Sequence, residues 1–212
     1  MQDAMLLEIV FVAVLALGVA ALFWVMVRQS SEKIVRQYRR MAQHFEVELT
    51  TPEAQLGGFV RSEPFIHGRY RGREMSISVP GKGLQNTRQI ETIFKLEVRD
   101  RALQWQMSAS GLLGGLRQRD SGQSARWSSG DEQFDAAVKV RVNDAQRLLA
   151  ILDAERRATL SDILTACKGT LTLREGVLAY AEFGLIADDA KRQRFERVAV
   201  LLYDLAERVE QG

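Results

Sequence analysis

The chain has 212 residues, 46% of them apolar and 26% charged, with a net charge of +2. That balance excludes an extensively disordered chain and leaves enough length for one domain with a real core beside a membrane segment. The single cysteine, Cys167, excludes an intramolecular disulfide. It fits a reducing compartment, although many periplasmic proteins also lack disulfides.

The first element is an uncharged run from Ile9 to Val27. As a helix, 19 residues span about 28 Å, close to the hydrocarbon thickness of a bilayer. A cleaved signal peptide is the competing reading. It calls for a positive amino-terminal region and a short apolar core ending at small residues. Here Asp3 and Glu8 precede the run with no Lys or Arg, and Leu22 to Val27 continue it past Gly18-Val19-Ala20. The run therefore reads as an uncleaved anchor. Ala16 and Ala20 give one small-xxx-small spacing, a very common pattern.

Orientation follows from the flanks. Arg28, Lys33, Arg36, Arg39 and Arg40 all follow the run, and Lys and Arg mark the cytoplasmic side. The expectation is a single-pass protein of the inner membrane, amino terminus out and carboxyl-terminal domain in the cytoplasm. Trp24 suits the inner interface. The positive excess is local, since from Ala102 onward 15 basic residues face 16 acidic ones.

Next, Ile34, Tyr38, Met41 and Phe45 recur at helical spacing. Three readings stay open for this stripe: packing on the protein's own domain, a short coiled coil between protomers, or a helix lying on anionic headgroups. The expected division is a tail over 1–8, a transmembrane helix over 9–27, a juxtamembrane amphipathic helix over 28–49, a linker over 50–63 and an α+β domain over 64–212. Thr51-Pro52, Gly57-Gly58 and Glu63-Pro64 mark the linker.

Beyond it the period changes to two. Ile66, Gly68 and Tyr70 oppose His67, Arg69 and Arg71, Arg71-Gly72 supplies a tight turn, and Met75, Ile77 and Val79 return as a second strand. Phe94, Leu96 and Val98, then Leu103, Trp105 and Met107, place two more strands with one solvated face. Residues 111–130 read as a long loop, with Leu112, Leu113 and Leu116 as a local strand or turn. "FDAAVKVRV" reads as a strand with Val138, Val140 and Val142 inward. Asn143 or Asp144 caps a helix carrying Leu148, Leu149 and Leu152, and Asp153 caps another with Leu160, Ile163 and Leu164. "GTLTLREGVLAYAEF" is a hairpin turning at Glu175-Gly176. Phe195, Val198, Leu202, Leu205 and Val209 stripe a last helix that begins at Asp188-Asp189. Strands in runs with helices grouped toward the carboxyl terminus give an α+β fold on an antiparallel sheet.

The stretch "DEQFDAAVKVRVNDAQRLLAILDAERRATLSDIL", with "IHGRYRGREMSISV" upstream, resembles a family of bacterial membrane-anchored α+β domains of unknown function, over about residues 64–184. One departure is Ala137-Val138, where that family often has an aromatic. The resemblance implies a membrane-anchored α+β domain and brings no catalytic residue. Phe134 is expected to plug the core, and Asp135 to accept backbone N–H groups at the corner before the strand.

Chemistry-bearing motifs are few. His44 and His67 are the only histidines, and one Cys cannot complete a Cys/His zinc site within the chain. Pro80-Gly81-Lys82-Gly83 lacks the spacing and the Ser or Thr of a phosphate loop. Cys167 reads as a small hydrophobe of its helix. No catalytic, cofactor-binding or metal residue is expected, and no cofactor. The candidate site is contact with an anionic surface through Arg36, Arg39, Arg40, Arg69 and Arg71, with Arg73, Arg99, Arg101, Arg117 and Arg119 as candidate neighbours; for the sheet arginines a plain solvated face is the favoured reading and lipid headgroups the next. The expected partners are the lipid bilayer and a protein partner or second copy, with nucleic acid disfavoured. The functional expectation is a cytosolic binding or assembly module. The alternatives are a membrane-tethered enzyme and a binder of anionic lipid or nucleic acid.

Overall fold

The computed structural model describes residues 2–52, 63–80, 90–110 and 124–211. Its first element is one unbroken helix, α1 (Gln2–Phe45). The expected α+β architecture follows it. Nine strands form one sheet among the described residues: β1 (Glu48–Thr50), β2 (Phe65–Tyr70), β3 (Arg73–Ser78), β4 (Glu91–Glu97), β5 (Trp105–Ala109), β6 (Ala125–Trp127), β7 (Val138–Val142), β8 (Thr170–Arg174) and β9 (Val177–Phe183). Among the described residues the helices after α1 are α2 (Glu132–Ala137), α3 (Ala145–Ile151), α4 (Ala154–Cys167) and α5 (Asp189–Gln211). The strand order is β1-β2-β3-β4-β9-β8-β5-β7-β6, and every described pair is antiparallel.

One sheet face carries the core. Ile66, Met75, Ile77, Phe94, Leu96, Leu171, Leu173, Leu178 and Tyr180 are buried there, joined by Phe195, Val198, Leu202, Leu205 and Val209 of α5. The alternate residues face away from the helices, as a two-residue period requires. The expected stripe of Ile34, Tyr38, Met41 and Phe45 is buried in this same core. Burying each such side chain contributes roughly 1.5–3 kcal/mol. The last turns of α1 therefore bind the domain far more strongly than a flexible tether would, and of the three readings the first one holds.

Four local expectations changed. The helix ends at Phe45, where Glu46 takes a left-handed conformation (φ 54°) and Val47 N–H reaches back to the Ala42 carbonyl. Residues 48–50 then pair with β2 rather than ending a helix at 49. Residues 125–127, expected in a loop, form an edge strand on β7. The "FDAA" of the expected strand is the short helix α2, because the Asp131 carboxylate accepts from the N–H groups of Gln133 and Phe134 and starts a turn there. Most of the expected linker (residues 53–62), the 81–83 segment and Leu112, Leu113, Leu116, Arg117 and Arg119 lie outside the described residues.

The two hairpins turn where the sequence places them. Arg71-Gly72 and Glu175-Gly176 both hold two successive positive φ angles, the geometry that matches strand twist in a two-residue loop. A Cβ on Gly176 would lie 2.7 Å from the Val98 carbonyl oxygen, whereas a Cβ on Gly72 meets nothing within 4 Å. Gly176→Ala is therefore expected to cost about 1–3 kcal/mol, more than Gly72→Ala, in thermal melts of the detergent-solubilised chain. Equal losses would mean that the approach to Val98 carries no penalty.

The helices fix a direction along the strands. At the end of the sheet holding Glu91, Phe183 and Thr170, the Gln37 side chain accepts from Arg192 (3.2 Å) and Arg40 bonds to Asp189 (2.7 Å). At the opposite end the Phe45 ring meets Tyr70, and Tyr70 meets Tyr203, each at 5.2 Å between centroids. There Arg73 holds Glu210 with two hydrogen bonds of 2.5 and 2.9 Å. The last turns of α1 and the whole of α5 thus run from a near end, where α1 enters, to a far end, where the tight turns lie.

Candidate functional site

The entry of α1 into the domain is built from a change in side-chain pattern along one helix. From Phe11 to Met26 the large apolar side chains point outward and away from the folded domain, Leu17 at 71% exposure among them. This helix is long and apolar enough to cross a membrane. Trp24 lies beneath the Arg28 guanidinium, 5.3 Å from the ring centroid, and Arg28 bonds to Glu32 one turn on (3.1 Å). Arg36 and Arg39 are exposed, and Arg40 is exposed and paired with Asp189.

The other expected arginines separate. Arg69 is exposed on the open sheet face, and Arg71 sits in the turn over the Tyr70 ring at 5.2 Å. Arg73 turns to the opposite face and locks Glu210, which also accepts from the Arg99 N–H (2.7 Å). The two-residue period fails for Arg71 because it belongs to the turn. Arg69 and Arg71 lie at the far end, away from Arg36, Arg39 and Arg40. The exposed His44 packs edge-on against Phe45, and His67 faces Glu48 across β1 and β2 at 3.5 Å. No three His, Cys, Asp or Glu side chains gather as a metal ion would require, among the described residues.

Just inside the near end lies a buried ionic cluster that the sequence reading missed. Glu182 of β9 has 3% of its side chain exposed and Lys191 of α5 has 8%, and they stand 3.2 Å apart. Arg194 donates twice to the same carboxylate (2.8 and 3.1 Å), and Tyr180 Oη donates to Glu182 Oε2 (2.8 Å). Lys191 Nζ also donates to the Phe183 and Gly184 carbonyls (2.5 and 2.7 Å), and Thr92 Oγ1 donates to Gly184 as well (2.7 Å). Tyr180 fits because Gly169 has no side chain. A Cβ there would lie 2.8 Å from the ring.

Burial pushes the Glu182 carboxyl up, but Arg194, Tyr180 and Lys191 together outweigh it and hold the group below its ordinary value. Burial pushes Lys191 down, opposed by Glu182. The half-buried Cys167 thiol is pushed up by burial and by the Glu182 charge, the opposite of what an activated nucleophile needs. A carboxylate held ionised by arginine and lysine acts as a clamp between β9 and α5; a general acid would need the reverse shift. A sequence signal was present. Glu182 continues the inward register of Leu178 and Tyr180, and Lys191 stands four residues before Phe195 on the buried stripe. Two opposite charges on core-facing positions of adjacent elements are a pairing signature.

Asp135 accepts from the N–H groups of Ser129 (2.9 Å) and Gly130 (3.2 Å) and from the Ser128 and Ser129 hydroxyls, as expected for a corner, and Phe134 is buried. Burial pushes the Asp135 carboxyl up, and these four donors more than offset it. On the open face, a concavity of about 590 Å³ lies over β2, β3, β4 and β9, lined by His67, Arg69, Glu74, Lys95 and Glu97 among others.

No family model matches this chain, and no curated protein matches it. The resemblance over residues 64–184 thus finds no family support. Among solved structures, the crystal structure of the mycobacterial trehalose monomycolate transport factor A is similar in fold. The TM-score is 0.56 at 12% identity, over 83% of this chain and 94% of that one. At that identity the likeness concerns the fold alone.

Proposed function

We propose that this chain is a single-pass membrane protein whose folded domain serves as a protein-binding or assembly module at the membrane surface. Residues 9–27 span the bilayer in this reading, residues 1–8 lie outside, and the domain lies on the cytoplasmic side of the inner membrane. The observation that carries it is the division of α1, whose bare apolar part would leave a large hydrophobic surface in water unless lipid covered it. A signal peptide is cut from its domain, whereas here the same helix continues into the core. The basic residues after the span support the orientation. Exposed Arg36 and Arg39, with Arg40, support contact with anionic headgroups. The structural neighbour is itself a transport factor. An accessory role in a membrane assembly, with a partner protein or a second copy, is the reading adopted for this chain.

Reporter fusions after Gly212 test the orientation. A reporter active only in the cytoplasm should work and one active only outside should be silent; the reverse would overturn it. Crosslinking in intact membranes tests the assembly role. A discrete adduct of reproducible mass is expected, and a monomer at every crosslinker length would contradict it.

A further inference from the structure

The open face of the sheet is graded along its strands. In one row across neighbouring strands near the α1 entry stand Phe65, Ser78, Ile93, Ala181 and Thr170, with no charge among them. Beyond that row, Glu91 pairs with Phe183, which is 37% exposed. Four residues further along the strands, the corresponding row holds Arg69, Glu74, Glu97, Val177 and Arg174, four charges in five residues. The helical face of the domain does not explain this gradient, because every one of these side chains points away from it.

The direction of α1 does explain it. The helix passes from Val27 to Ile34, the first core residue of its stripe, in seven residues, or about 10 Å at 1.5 Å per residue. That is little more than the headgroup layer of a bilayer. Both α1 and α5 run from the near end to the far end, so a membrane around residues 9–27 sees the near end of the strands first.

We propose, resting on the membrane-anchor reading, that the near end of the open face is turned to the headgroups of the bilayer that holds α1. Its uncharged row, with Phe183 and Glu91 at the edge beyond it, is the surface that meets them, and the far row with its four charges stands away in water. Most of the charge on this face then stands away from the bilayer, and the exposed Phe183 lies beside Glu91 at the near edge. Arg36 and Arg39 offer cations to phosphate at the same end.

Val177 and Phe183 make the comparison sharp. They lie on the same strand and face, at 39% and 37% exposure, and six residues separate them by about 20 Å. The full chain, in a Cys167→Ser background, is prepared as Phe183→Cys and Val177→Cys and labelled with a small fluorophore. It is then reconstituted in phosphatidylcholine–phosphatidylglycerol vesicles containing a Ni²⁺-chelating headgroup lipid and no other protein. Energy transfer to Ni²⁺ falls steeply with distance and should be at least threefold stronger from position 183 than from 177. Phe65→Cys and Arg174→Cys repeat the comparison should either first variant fail to fold. Vesicle flotation is scored on the same samples. Co-floating protein with equal or reversed transfer would overturn this orientation and leave the anchor standing. Protein that does not float would overturn the anchor and this inference together.

Discussion

Glu182→Ala is expected to destabilise the domain by about 3–5 kcal/mol, the range for removing one partner of a buried ion pair. The loss has two physical parts. Lys191, with 8% of its side chain exposed, is left beside two carbonyls without its carboxylate. Tyr180, fully enclosed against Gly169 and Phe195, loses the acceptor of its hydroxyl. Thermal or denaturant melts of the solubilised chain read the loss directly. Replacing both Glu182 and Lys191 with methionine should recover part of it, since apolar residues of similar volume often replace a buried pair at little cost. Arg194 is partly exposed and can turn to water.

The pH dependence has a defined sign. The Glu182 carboxyl is held below its ordinary value in the folded chain. Its contribution is therefore present above the unfolded glutamate pKa of about 4.3, and it disappears as the pH falls through the lower folded value. Asp135, held low by its four donors against burial, acts with the same sign. Glu210 does too, held low first by Arg73. The wild-type chain should lose stability below about pH 4, and Glu182→Gln should flatten part of that slope. An identical acid slope in the variant would remove Glu182 from the account.

The second large effect concerns α1. Leu17 and Val19 sit in the exposed apolar stretch near the middle of residues 9–27. Aspartate at the centre of a membrane helix costs about 2.5–3.5 kcal/mol on insertion scales. Leu17→Asp combined with Val19→Asp should therefore cost roughly 5–7 kcal/mol and shift the chain out of the membrane fraction. The melt of the solubilised domain should hardly move, because neither side chain touches the core. A double variant that still fractionates with membranes, or one whose domain unfolds, would count against separate duties for the two parts of the helix.

Much of this fold could be read from residue patterns. The hairpins at Arg71-Gly72 and Glu175-Gly176 were visible because two strands of period two flank a pair able to hold positive φ. The helix caps at Asp144 and Asp153 were visible because each acid directly precedes a helical stripe, and each accepts from the N–H three residues on. What escaped depends on partners distant in sequence. β6 is three residues long and exists as a strand through its ladder to β7. The helix α2 took over "FDAA" because Asp131 caps the N–H groups of Gln133 and Phe134 while Asp135 gathers Ser128, Ser129 and Gly130, whereas alternation alone favoured a strand. Arg73 left the expected arginine group because Glu210 on the last helix, 137 residues away, holds it. The Glu182 cluster joins β9 to α5 in the same way. Its charges were readable singly, and their meeting was set by the crossing of a helix over a strand.

The central claim is that one helix serves both as the membrane span and as a piece of the domain's core. The most direct test is the intact mass of the chain recovered from carbonate-washed membranes. A pelleted protein that retains residues 9–27 is the predicted result. A soluble species whose first residue lies at or after Ala21 would contradict it.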